Sequence, residues 1–384
     1  MFDYGLEEFL SSPAVGGRVG LITNATGRDR HGVHTVDRLA EHPRLKLAAI
    51  FTPEHGFGAD APDGEAVASS THPEYRVPIH SLYGSRKTPS PEELKGIDLL
   101  VYDIQDVGVR FYTYISTLRN TMEAAAQNGI PLHVLDRPDL LGGIAVEGPM
   151  LESGFESFVG HLPVPVRYGL TPGELSRWWN SRLRAQSNLT VWACRNYHRG
   201  LAFEQLGVPW VKPSPSMCSS STARFYPGTC LYEGTNLSEG RGTEAPFQIL
   251  GAPRVNRERW IEALRPLLPA DVSVSPVSFR PTFSKFAGEE CLGIRLDTGS
   301  LLQINSFGIG IRSLSSFIRS HPGQIEFTTR PTLEHPFFDH LAGNSWVREA
   351  LVNGAHPSEI EARAAAENAA FTSDRKAFFL YPPI

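Results

Sequence analysis

The sequence predicts an α/β protein: a first domain built on a mostly parallel sheet, then a smaller α+β domain at the C-terminus. Three observations lead there. In the first half, short apolar runs alternate with stretches of helical periodicity, the order that yields parallel strands covered by helices. Beyond about residue 253 the alternation gives way to strand-like segments followed by helical ones. The length, 384 residues, exceeds one average domain and is enough to bury a large core. Domains 1–252 and 253–384 are therefore expected.

The elements follow in order. Residues 18–23 read as a buried strand ending at Asn24, and residues 35–41 as a helix that must stop before Pro43. Residues 45–51, 97–102 and 132–135 are three further apolar strands. Between the last two, Ile115, Leu118, Met122 and Ala125 share one face at steps of three and four, and Gly129 supplies a C-terminal stop. Ser90-Pro91-Glu92-Glu93 and Thr171-Pro172-Gly173-Glu174 both fit a capping box with proline at the first helical position. This assigns Glu93 and Glu174 to structure. Residues 188–252 are rich in Gly, Pro and Ser and read as long irregular segments, which usually carry function. In the second domain, 272–279, 291–297 and 301–306 read as strands, and 345–353 and 357–370 as helices.

Composition excludes several classes. Net charge is −5 and the pI about 6.2, so the basic surplus of a nucleic-acid binder is missing. No apolar run reaches bilayer length, and the first eight residues lack a basic segment followed by an apolar stretch. A cytoplasmic protein with no membrane partner is expected. Cys194, Cys218, Cys230 and Cys291 are scattered and form no C-x-x-C pair, so free thiols are expected and no metal site.

In an open parallel sheet, ligands bind beyond the carboxyl ends of the strands. Each predicted strand ends there in a polar cluster. These are Thr23-Asn24-Ala25-Thr26-Gly27, Thr52-Pro53-Glu54-His55-Gly56, the run from Asp103 through Gln105, Asp106 and Arg110 to Tyr112, and Asp136-Arg137-Pro138. Tyr232-Glu233-Gly234-Thr235-Asn236-Leu237-Ser238-Glu239-Gly240-Arg241-Gly242-Thr243 could join them. Carboxylates, amides, arginines and aromatic rings together suit a sugar, and paired carboxylates supply the acid and base of glycoside hydrolysis. G-x-G-x-x-G and Walker sequences are both absent, so no nucleotide cofactor is expected. Each cluster also has a structural reading. Asp136 and Arg137 could form a buried ion pair, Asp103 and Asp106 could satisfy turn amides, and His55 could merely orient Glu54. Glu54 itself stands at a strand end where no helix needs a cap.

Phe51-Thr52-Pro53-Glu54-His55-Gly56, the run Asp103-Ile104-Gln105-Asp106-Val107-Gly108-Val109-Arg110-Phe111-Tyr112-Thr113-Tyr114 and the run from Glu233 to Thr243 resemble the exo-β-N-acetylmuramidase family. Ser81-Leu82-Tyr83-Gly84, Val146-Glu147-Gly148-Pro149 and Ala245-Pro246-Phe247 add to the likeness. The resemblance implies a Rossmann-like domain and a smaller C-terminal domain with the active site in the cleft between them. It also implies release of terminal N-acetylmuramic acid from the non-reducing end of peptidoglycan fragments, with a disaccharide or muropeptide as partner. Glu54 becomes the leading general acid, with Asp103, Asp106 or Glu147 as the second catalytic group. Asn24, His55, Gln105, Arg110, Tyr112, Tyr114, Asp136, Arg137, Glu233, Asn236, Glu239 and Arg241 are the expected substrate-binding residues. For the lactyl carboxylate of muramic acid, Arg241 ranks first and Arg110 second, with Arg137 the third arginine of these motifs. Ser216 stands where the family pattern Pro-Ser-Pro carries Asn. A non-catalytic muropeptide- or sugar-binding protein, or a hydrolase of another acidic sugar or amide, would use the same polar rim.

Overall fold

The computed structural model describes residues 1–299 and 303–383. Its first unit holds seven strands: β1 (Gly17–Thr23), β2 (Leu45–Thr52), β3 (Ser70–Thr71), β4 (Pro78–Ser81), β5 (Leu99–Asp103), β6 (Leu132–Leu135) and β7 (Leu189–Trp192). They lie in the order β3-β4-β2-β1-β5-β6-β7, all parallel except the two-residue edge strand β3. β5 is buried at every position, as expected of a strand covered on both faces. The order reverses between β1 and β5, which makes their carboxyl ends the switch point of the sheet.

The second unit contains β8 (Ile249–Ala252), β9 (Ser273–Phe279) and β10 (Cys291–Asp297), an antiparallel sheet in the order β8-β10-β9. The fold class read from the sequence is the one observed. Several elements differ, however. The Ser90–Glu93 box forms its bonds, Ser90 N to Glu93 Oε2 at 2.9 Å and Glu93 N to Ser90 Oγ at 3.4 Å, yet it closes turns, because β5 begins too soon for a helix. The Thr171–Glu174 box does open a helix, Pro172–Asn180. The stretch 188–252 contains β7, the helix Ser220–Thr229 and β8. Of the strand expected at 301–306, Leu301 and Leu302 lie outside the described residues, and Ser306 opens a helix, Ser306–Ser320, capped by the Asn305 side chain.

One apolar core runs through both units, from Leu21 and Val101 in the parallel sheet to Ile294 in β10 and Phe317 in the helix Ser306–Ser320. The helices Ser220–Thr229 and Ser306–Ser320 cross at Gly228 and Gly310, where a Cβ on either would collide with backbone of the other helix. The C-terminal segment returns to the first unit. Trp178 Nε1 donates to Asp374 at 2.7 Å, and the Tyr381 hydroxyl donates to Asp136 at 2.5 Å. Among the described residues no helix is long and apolar enough to cross a membrane. All four cysteines are free thiols.

Candidate active site

Where β2 ends, the chain turns sharply. His55 and Gly56 both adopt left-handed backbone, φ 70° and 73°, an uncommon state for a non-glycine residue. Two contacts hold His55 there: Ala61 N donates to its carbonyl at 3.3 Å, and its Nδ1 lies 2.7 Å from the Ala61 carbonyl oxygen. A carbonyl only accepts, so Nδ1 carries the proton and Nε2 faces outward, 3.7 Å from Asp63 Oδ1.

This turn aims Glu54 into a cleft of about 560 Å³. Glu54 is 8% exposed, and both its oxygens are fixed. Gly64 N donates to Oε1 at 3.0 Å and the Thr113 hydroxyl to Oε2 at 2.7 Å. Thr113 sits just before the helix Tyr114–Asn128, so a residue beyond β5 sets the rotamer of a residue beyond β2. Tyr83, just past β4, completes this side. Burial and then the neighbouring Glu54 charge hold its phenol well above the ordinary range.

The second unit forms the opposite wall with Tyr226, Glu233, Arg241, Phe247, Arg330 and Phe337. Arg241 is engaged on every donor edge: Nη1 with Asp63 at 2.6 Å, Nη2 with Glu233 at 2.6 Å and Nε with Glu239 at 3.4 Å. Glu239 also meets Lys285 Nζ at 3.3 Å. Burial opposes the charge of Glu233, but Arg241 prevails and keeps the carboxyl below its usual range. At Asp63 burial prevails and the pKa rises. Aromatic faces of Phe111, Tyr112, Phe158, Phe247 and Phe337 line the rest, a surface on which the apolar side of a sugar ring can stack.

Of the expected site residues, Glu54, His55, Tyr112, Glu233 and Arg241 line this cleft, with Glu239 directly behind Arg241. The others are used elsewhere. Asp103 is fully buried, paired with Arg137 Nε at 2.6 Å and bonded by the Thr35 hydroxyl. Arg137 lies over the Tyr4 ring at 4.5 Å, and this pair fills the switch point. Asp106 accepts from Tyr168 beneath the rim, and Glu147 is bound by Arg167 and by Phe307 N at 3.0 Å. Asp103, Asp106 and Glu147, the three expected candidates for the second catalytic group, are thus held in other contacts, and none of them lines the cleft that holds Glu54. Arg110 is wholly buried, donating to the carbonyls of Pro149, Val164, Leu341 and Ala342 at 2.6–2.9 Å. Burial without a counter-charge pulls its pKa down to about 9.

Asn24 bonds Tyr114 and Thr26, Tyr114 donates to Pro213 O, and Gln105 bonds the carbonyls of Asp106 and Pro138. Asp136 accepts from Tyr381, Thr171 and Gly173 N, and Asn236 ties down the backbone at Gln324 and Glu326. All of these are structural contacts outside the cleft. Gly242 (φ 80°) accommodates the Thr282–Phe283 backbone, 2.7–2.8 Å from where a Cβ would sit, and not a ligand. Ser214 lines the cleft, while Ser216 is buried beside it. Sequence reasoning missed Asp63, Phe158, Tyr226, Arg330 and Phe337 as site residues. Tyr83 and Phe247 were visible only as parts of the resembling motifs. Among the described residues no group of His, Cys, Asp and Glu could hold a metal ion.

Comparison with known proteins gives concordant results. Residues 19–221 match the family model "Exo-beta-N-acetylmuramidase NamZ, N-terminal" and residues 224–381 its C-terminal counterpart. The chain is 41% identical over 366 residues to the peptidoglycan beta-N-acetylmuramidase NamZ of Bacillus subtilis (strain 168), covering 95% of this chain and 87% of that protein. Two crystal structures of DUF1343 family proteins from Bacteroides fragilis NCTC 9343 superpose on it. One has a TM-score of 0.88 at 32% identity over 99% of both chains, the other 0.77 at 28% over 100% of both.

Proposed function

The chain belongs to the exo-β-N-acetylmuramidase family, and on that premise we propose that it is an exo-acting glycosidase of peptidoglycan turnover, releasing N-acetylmuramic acid from the non-reducing end of wall fragments. The observation that carries the catalytic assignment is Glu54. It is a nearly buried carboxyl whose two oxygens are fixed by Gly64 N and Thr113 at the floor of an aromatic cleft between two units. Protonated, Glu54 delivers its proton to the glycosidic oxygen as the bond to the leaving sugar breaks. The second group must act on the other face of the ring. Asp63 and Glu233 are the remaining carboxylates of the cleft, and Arg241 clamps both. A carboxylate held in this way cannot swing, which serves a nucleophile or base that must meet one carbon.

We also place the division between the units near residue 222 and not at 252. The family models meet there, β8 belongs to the second sheet, and the helix Ser220–Thr229 packs on Ser306–Ser320.

The test is turnover of a chromogenic N-acetylmuramide beside its N-acetylglucosaminide counterpart. Glu54→Gln keeps the shape and loses the proton, so kcat on the natural disaccharide should fall by roughly 10²–10⁴ while the fold survives. Binding of muramide without turnover by the native protein would instead indicate a sugar-binding protein.

A further inference from the structure

Muramic acid differs from glucosamine by a lactyl ether that bears a carboxylate. On the reading above, this anion enters a cleft that already holds Glu54, Asp63 and Glu233. An anion placed among carboxylates needs a cation that is not already neutralised. Arg241 does not qualify, because its three donor edges face Asp63, Glu233 and Glu239. Arg110 is buried outside the cleft on four carbonyls, and Arg137 is paired with Asp103.

Arg330 is different. It stands at the cleft mouth on a loop closed by Phe337 N to Thr328 O at 2.8 Å and by Leu333 N to Arg330 O at 3.0 Å. Thr328 N donates to Gly234 O at 2.9 Å, which anchors the loop beside Glu233. Its guanidinium lies over the Phe337 ring, 3.2 Å from the centroid, and among the described residues its side-chain nitrogens donate no hydrogen bond. Among the described residues it has no carboxylate at ion-pairing distance. Burial lowers its pKa even though Glu233, Tyr83 and Glu54 face it and raise it. It is an exposed cation on the cleft lining with no ion-pair partner among the described residues.

We propose that Arg330 reads the lactyl carboxylate, so that it and not Arg241 gives the cleft its preference for muramic acid over glucosamine. A planar guanidinium grips a carboxylate through two parallel N–H bonds, and the aromatic ring beneath it holds the plane for that grip. The rival is Lys87, also unpaired, whose Nζ lies over the Phe158 ring at 4.2 Å. It offers a point charge without a fork.

The assignment rests on the glycosidase reading for its substrate, but the experiment does not depend on turnover. Calorimetry measures the binding of free N-acetylmuramic acid, its lactyl methyl ester and N-acetylglucosamine to the intact chain and to Arg330→Met, Arg330→Lys and Lys87→Met. The native chain should bind the acid roughly 10- to 100-fold more tightly than the ester, the range of one charge-assisted pair. Arg330→Met should remove that gap and leave ester binding unchanged, and Arg330→Lys should keep part of it. The proposal is overturned if the native chain shows no gap or if Arg330→Met retains it. It is also overturned if Arg330→Met weakens all three ligands in proportion, or if Lys87→Met is the change that closes the gap. A gap of the expected form in a chain that hydrolyses no muramide would defeat the glycosidase reading and leave the Arg330 assignment standing.

Discussion

Asp106 offers a sharp test of the buried chemistry. It is 1% exposed, its Oδ2 accepts from Tyr168, and its Oδ1 has no partner. Burial, reinforced by Asp139 and opposed by the Tyr168 and Gly108 bonds, raises its pKa from the ordinary 3.8 to about 7. The folded state therefore holds the proton more tightly than the unfolded chain. The stability from the neutral form is fully present below pH 3.8 and is lost as the pH rises through about 7. At about 1.4 kcal/mol per unit, the whole loss is about 4 kcal/mol, of which about 2–3 kcal/mol falls between pH 5 and 8. Asp106→Asn mimics the protonated carboxyl at every pH. Urea unfolding of both proteins at pH 5 and pH 8 reads the effect: the variant should gain about 2–3 kcal/mol on the native chain between the two pH values. A stability difference that is the same at both would refute a buried neutral carboxyl at this position.

Two further substitutions probe the frame of the cleft. Arg241→Met strips Glu233 of its counter-charge and leaves Glu239 only Lys285, so chemical denaturation should show a loss of about 3 kcal/mol, with part recovered by adding Glu233→Gln. A loss below about 1 kcal/mol would mean the cluster is screened by water. Arg110→Met orphans four carbonyl acceptors and should lower unfolding free energy by about 3–5 kcal/mol. The relative rates on muramide and glucosaminide should stay as they are, and a shift in that ratio would return Arg110 to the substrate.

The long apolar strands were legible because a strand buried on both faces leaves an uninterrupted apolar run, as in β5. The short strands β3, β4 and β7, two of them at the edges of the sheet, left no such trace. Ser306–Ser320 was hard to read because Gly308 and Gly310 interrupt its periodicity, although buried Phe307, Ile311 and Leu314 still mark one face. At the site, Glu54 stood out as a carboxylate with no local structural task. Asp103 and Asp106 share its rim, yet a strand end does not say which way the next residues turn: Asp103 goes to Arg137 and Asp106 to Tyr168. Arg330 had no signal, since its relation to the cleft exists only once a loop of the second unit lies beside Glu233.

The crossing of Gly228 and Gly310 joins main chain to main chain, and Cys230–Gly234, which carries Glu233, continues directly from the helix that makes it. A joint of this kind has no rotamers to relax and no cavity to refill. It ties the placement of the wall that holds Glu233 to that of Ser306–Ser320. Selection can therefore reshape the cleft by exchanging its aromatic lining, whereas the pitch of that wall is set by two missing methyl groups some way behind it.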